Sequence, residues 1–142
     1  MGRIVGAAVA ALLAVPALAQ APTLASGPVP PGIDRALWCA SAFYWLAGSA
    51  EDSGDHDEAE LYDGWSTRLL DMAGGALTSI EVTPEEIERL VAEYDQRALA
   101  ELGTDAAPYD VATCPDLFGD EEASPAATPE TSEAEAGAAS SG

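Results

Sequence analysis

Arg35-Ala36-Leu37-Trp38-Cys39-Ala40-Ser41-Ala42-Phe43-Tyr44-Trp45-Leu46-Ala47 carries two of the chain's three tryptophans and one of its two cysteines, and no charge follows Arg35 within it. Ile33, Leu37, Ala40, Tyr44 and Ala47 recur at steps of four and three, the spacing of one helical face. Trp38, Phe43, Trp45 and Leu46 add apolar surface around much of the remaining circumference. The stretch therefore predicts a core helix from about Ile33 to Ala50 that is covered on several sides.

Downstream, Glu51-Asp52-Ser53-Gly54-Asp55 is a polar turn. Asp55 is suited to cap a second helix by accepting from the amide of Glu58, and Asp57 and Glu58 fall where the helix dipole favours negative charge. Ala59, Tyr62, Trp65 or Ser66, Leu69 and Met72 or Ala73 form its inner stripe, and Gly74-Gly75 is the expected stop. Thr83-Pro84-Glu85-Glu86 is a capping box, with Val82 and Ile87 placed as a hydrophobic staple. It opens a third helix ending near Leu102-Gly103, whose buried side is Ile87, Leu90, Val91, Tyr94, Ala98 and Leu102. Glu85 with Arg89 and Glu93 with Arg97 are expected i, i+4 ion pairs on its outer side. Pro108 to Phe118 reads as a closing segment with a short helical turn. Its Tyr109, Val111, Leu117 and Phe118 are suited to cover the end of the core.

The flanks differ in kind. Arg3, the apolar run Ile4 to Val15 and Pro16-Ala-Leu-Ala-Gln20 form a secretory signal, with cleavage expected after Ala19. The apolar run is shorter than the roughly 20 residues a membrane span needs and ends at Pro16, which argues against an uncleaved anchor, and no other stretch is long and apolar enough to predict a span. Residues 20–32 are rich in Pro, Gly, Ser and Ala and read as a linker, 33–118 as the helical domain, and 119–142 as a disordered acidic tail without large apolar residues.

The chain has a formal charge of −20; losing Arg3 with the leader leaves four arginines, no lysine and all 25 acidic residues, hence −21. Such a surface repels nucleic acid and anionic lipid; cationic proteins, metal ions or a salty exterior are compatible with it, and keeping an exported protein soluble is the simpler reading. Two cysteines, Cys39 and Cys114, in an exported chain predict one disulfide closing a loop of about 75 residues. Secreted or periplasmic location follows from the same two signals.

Three groups of residues are candidates for a site. Clustered carboxylates Glu51, Asp52, Asp55, Asp57 and Glu60 suggest divalent binding, although an EF-hand register puts Ser49 where aspartate is required. Helix capping in a solvated turn accounts for the same residues. His56 is the sole histidine, so no second histidine is present for a metal site or a nucleophile-plus-base arrangement. Trp38, Trp45 and Trp65 are a candidate partner surface, with core packing as the simpler reading. No catalytic residue, metal site or cofactor is assigned.

A cysteine on an aromatic-rich first helix, the capped Thr83-Pro84-Glu85-Glu86 helix and a second cysteine near the end of the core resemble the layout of small exported helical bacterial proteins. Among these are the acid-stress periplasmic chaperones and the helical immunity proteins. The resemblance spans about Leu37 to Phe118 and carries over no functional residue. The chain departs from the chaperones in lacking lysine, which leaves little positive charge to drive opening in acid. The expected fold is all-α, a three- to four-helix bundle closed by Cys39 and Cys114. The expected function is that of a non-enzymatic secreted or periplasmic binding or accessory protein acting through a protein partner in the cell envelope, and a cationic partner is compatible with the charge. An acid- or stress-responsive chaperone is the alternative, and a carboxylate-dependent hydrolase or calcium-dependent module the third.

Overall fold

The computed structural model describes residues 21–119, which are mostly helical. The expected leader, 1–19, and the expected tail beyond Gly119 lie outside the described residues. In chain order come β1 (Thr23–Leu24), β2 (Gly27–Pro28), α1 (Pro31–Ser53), α2 (His56–Ser79), α3 (Pro84–Glu101) and a 3₁₀ segment (Val111–Phe118). Helix α1 packs against α2, α3 and the 3₁₀ segment, whereas α2 and α3 touch each other little.

Burial explains that arrangement. Every residue from Ala36 to Phe43 is buried, so this part of α1 has no solvent face. Trp38, Leu37 and Phe43 are among the largest fully buried side chains, and burying each such residue contributes about 1.5 to 3 kcal/mol. Beyond Phe43 the enclosure opens, and Tyr44, which the periodicity puts on the inner face, is 53% exposed. On α2 the inner stripe is Ala59, Ser66, Leu69, Ala73 and Leu77. Met72 is exposed, and Trp65 is half-buried between Phe43 and Phe118. Phe43 also stacks on Tyr62, with ring centres 5.7 Å apart. Tyr109, Val111, Leu117 and Phe118 pack against the core as expected, and Cys114 is joined to Cys39 of α1 with their Cα atoms 5.7 Å apart.

Four local expectations are corrected. Part of the expected linker is instead a two-stranded antiparallel ribbon, Thr23 opposite Pro28 and Leu24 opposite Gly27. Leu24 and Val29 sink into the core there, and Pro31 begins α1 at the first helical position, where a missing N–H costs nothing. Second, Gly74-Gly75 does not stop α2, because Leu77, one turn further on, is fully buried. The helix closes instead in a Schellman arrangement. Val82 donates to the carbonyl of Leu77 and Glu81 to that of Thr78, with Glu81 in the left-handed region at φ 63°. Third, Thr83 caps α3 by accepting from Glu86 N–H at 3.3 Å, but the Glu86 carboxylate is taken by the ribbon. It accepts from Ala25 N–H at 2.6 Å, while Arg89 donates to the carbonyl of Thr23.

The fourth correction concerns charge. Arg89 pairs with Glu86 and Glu93 rather than Glu85, and Arg97 faces inward to Asp34 at 3.3 Å and Glu101 at 3.1 Å rather than outward to Glu93. The reason is an otherwise unsatisfied group of polar atoms where α1, α3 and the closing segment meet. Glu101 accepts from the Trp38 indole N–H at 2.8 Å, and Asp34 accepts from the hydroxyls of Tyr94 and Tyr109. Burial, then the bond to Asp34, pushes the Tyr109 hydroxyl up to about 12 and raises Tyr94 further in the same direction. Both therefore stay protonated donors across the physiological range.

Two stability measurements follow. Replacing both cysteines by alanine should lower the unfolding free energy by about 2 to 5 kcal/mol in urea titrations, and an unchanged midpoint would refute a stabilising cross-link. Asp34→Ala strands two tyrosine hydroxyls and part of Arg97, and should cost about 2 to 4 kcal/mol; a loss no larger than that of an exposed Asp57→Ala control would show the cluster to be idle.

Candidate functional site

The three tryptophans do not share one surface. Trp38 is wholly buried, with its N–H on Glu101. Trp65 is half-buried in the ring cluster with Phe43, Tyr62 and Phe118. Trp45 is half-buried on α1, and its N–H donates to the carbonyl of Asp95 on α3 at 3.0 Å, which fixes the plane of its ring. Tyr44 stands edge-on to Trp45, with ring centres 5.3 Å apart.

The acidic stretch is likewise redistributed. Glu51 and Asp52 lie in the last turn of α1, and Asp57 and Glu60 lie in α2. Only Gly54 and Asp55 connect the helices, which leaves no twelve-residue calcium loop. Gly54 takes the left-handed conformation, φ 83°, and donates to Glu51, while Asp55 N–H donates to the carbonyl of Ala50. The Asp55 carboxylate then accepts from Glu58 N–H at 3.2 Å, as the sequence predicts. Among the described residues no three His, Cys, Asp or Glu side chains are grouped to hold a metal ion.

What the turn does create is a groove of about 460 Å³ between α1 and α2. Its apolar wall is Tyr44, Trp45, Ala47, Gly48 and Ala59, and its rim is Glu51, Glu60, Asp63 and His56. Small residues open the space: Gly48 has no side chain, and a Cβ added there would meet nothing within 4 Å. Between Arg35 and Arg68 the chain has no arginine or lysine, yet it has seven carboxylates from Glu51 to Asp63. Among the described residues neither Glu60 nor Asp63 enters an ion pair; Glu51 pairs only with His56, at 3.0 Å. That hydrogen bond, then the Glu51 charge, raises the His56 pKa above its ordinary value, and Asp55 adds to the shift. The arrangement can attract a cation and lay it against an aromatic face.

No family model, curated protein or solved structure matches this chain. The site is therefore read from its own residues. Sequence reasoning named Glu51, Glu60, His56 and Trp45 but missed Tyr44 and Asp63. The signal that could have found them is the cation-free run between the two arginines, set against small residues at 47, 48 and 59.

Because the pKa of His56 is raised on folding, the stabilisation from its pairing is fully present below the ordinary value of 6.5 and is lost as pH rises through the folded midpoint. An NMR titration of this single histidine should place that midpoint above 6.5, and Glu51→Gln should return it toward 6.5. A midpoint that does not respond to Glu51→Gln would show the pair to be absent in solution.

Proposed function

We propose that this is an exported, non-enzymatic binding or accessory protein of the cell envelope that acts through a cationic protein partner. The observation that carries this reading is the groove at the α1–α2 turn, an aromatic wall under a carboxylate rim with no arginine or lysine among the described residues that line it. The formal charge of −20 acts in the same direction at longer range, speeding encounter with a basic surface more than it adds to final affinity. The joined pair Cys39 and Cys114 is compatible with an oxidising compartment.

The test is capture from envelope extract on immobilised, oxidised protein at about 150 mM salt, followed by elution at about 500 mM. A specific basic protein should be retained and released by the salt step. Recovery of only acidic proteins, or of nothing above an uncoupled matrix, would refute the reading.

A further inference from the structure

We propose that the α1–α2 groove is a recognition site for an arginine side chain, a proposal that rests on the cationic-partner reading and names the group recognised. The chain's own arginines supply the template. The Arg97 guanidinium lies 5.8 Å from the centre of the Tyr94 ring and pairs with the carboxylates of Asp34 and Glu101. The Arg68 guanidinium lies 5.0 Å from the centre of the Phe118 ring. Both guanidinium groups of this small domain that lie over rings follow one pattern, a planar cation on an aromatic face, and Arg97 adds flanking carboxylates. A guanidinium suits that pattern because it is flat, always charged and weakly hydrated, so it can stack and pair at once.

The groove repeats the pattern without a guanidinium of its own. Tyr44, 53% exposed, and Trp45 form the aromatic face, and Glu60 and Asp63 stand on the opposing helix without an ion pair among the described residues. Nothing else in the described chain leaves a large ring so open: the exposed large hydrophobic residues are Tyr44, Leu61, Met72, Ile80 and Leu99, and only Tyr44 is aromatic. The groove volume, about 460 Å³, lies in the range of small-ligand sites, about 300 to 1,000 Å³, and accommodates one side chain with its methylene stem. The Trp45 N–H is already bonded to Asp95, so the indole offers the groove its ring and not a competing donor. Protonated His56 would place a rival cation on the rim beside Glu51, so the site is most receptive when that imidazole is neutral.

The test uses the full oxidised chain at a pH above the His56 midpoint found in the NMR titration, where that imidazole is neutral, and follows amide NMR shifts as N-acetyl-Gly-Arg-Gly-amide is added. Saturable shifts are expected around the α1–α2 turn. The citrulline peptide, which keeps the shape and loses the charge, should bind about tenfold more weakly, and the lysine peptide about threefold more weakly. Tyr44→Ala and the pair Glu60→Gln with Asp63→Asn should each weaken arginine binding about fivefold or more. Gly48→Leu fills the groove without changing charge and should abolish binding, with the helical circular dichroism unchanged.

The proposal is overturned if citrulline binds as well as arginine, if Gly48→Leu retains affinity, or if only the carboxylate changes matter, which would mark a merely acidic surface. The two readings fail separately. Peptide binding with no basic protein captured from the extract would leave the groove standing and remove the envelope partner. Capture that survives both Tyr44→Ala and Gly48→Leu would keep the partner and remove the groove.

Discussion

Helix α1 between Ala36 and Phe43 is buried on every side, and the other elements are placed by the need to cover it. A helix with one apolar stripe can be satisfied by a single neighbour, but an apolar cylinder needs a sleeve. Here α2, α3 and the 3₁₀ segment close around α1 while α2 and α3 scarcely meet. The disulfide fastens the last part of that sleeve directly to the rod, between Cys39 and Cys114. Total enclosure also creates a polar problem, because any donor on the rod must find its partner within the protein. Ser41 donates to Asp95 at 2.6 Å and Trp38 to Glu101, so the inner faces of α3 carry carboxylates where a simpler bundle would carry leucine.

Charge is segregated along the molecule. Arg35 donates to the carbonyl of Thr113, Arg89 and Arg97 pair on α3, and Arg68 lies over Phe118. The α1–α2 turn is left with carboxylates and one imidazole. Helix physics makes this tolerable, since Asp57 and Glu58 sit in the first turn of α2, where the backbone dipole favours them, and Asp55 is consumed as a cap. Glu60 and Asp63 have no such local use.

The elements that depend on nearby residues were readable from the chain. The Thr83 and Asp55 caps, the apolar faces of α2 and α3, and the cysteine pairing all rest on short spacings or on a count of two. What escaped depends on residues far apart in sequence. Gly74-Gly75 is a reasonable local stop, but the burial of Leu77 carries the helix past it and moves the left-handed position to Glu81. Arg97 has a good local partner in Glu93 and leaves it for Asp34, 63 residues away. Glu86 likewise turns from its own cap to an amide 61 residues earlier. Tyr44 fits the inner periodicity but lies just past the point where the sleeve ends. The groove was hidden for that reason, since it exists only where α1 emerges.

Asp55 has two structural duties at once: its N–H terminates α1 on the Ala50 carbonyl, and its carboxylate begins α2 on the Glu58 amide. A joint shared by both helices in this way cannot swing without giving up both ends. These two hydrogen bonds therefore favour one separation of the cleft walls, and an arginine of the kind proposed above would meet a ready-made seat rather than a closing jaw. Discrimination among such guests would then rest on fit and charge, with little entropy spent on moulding the host around them.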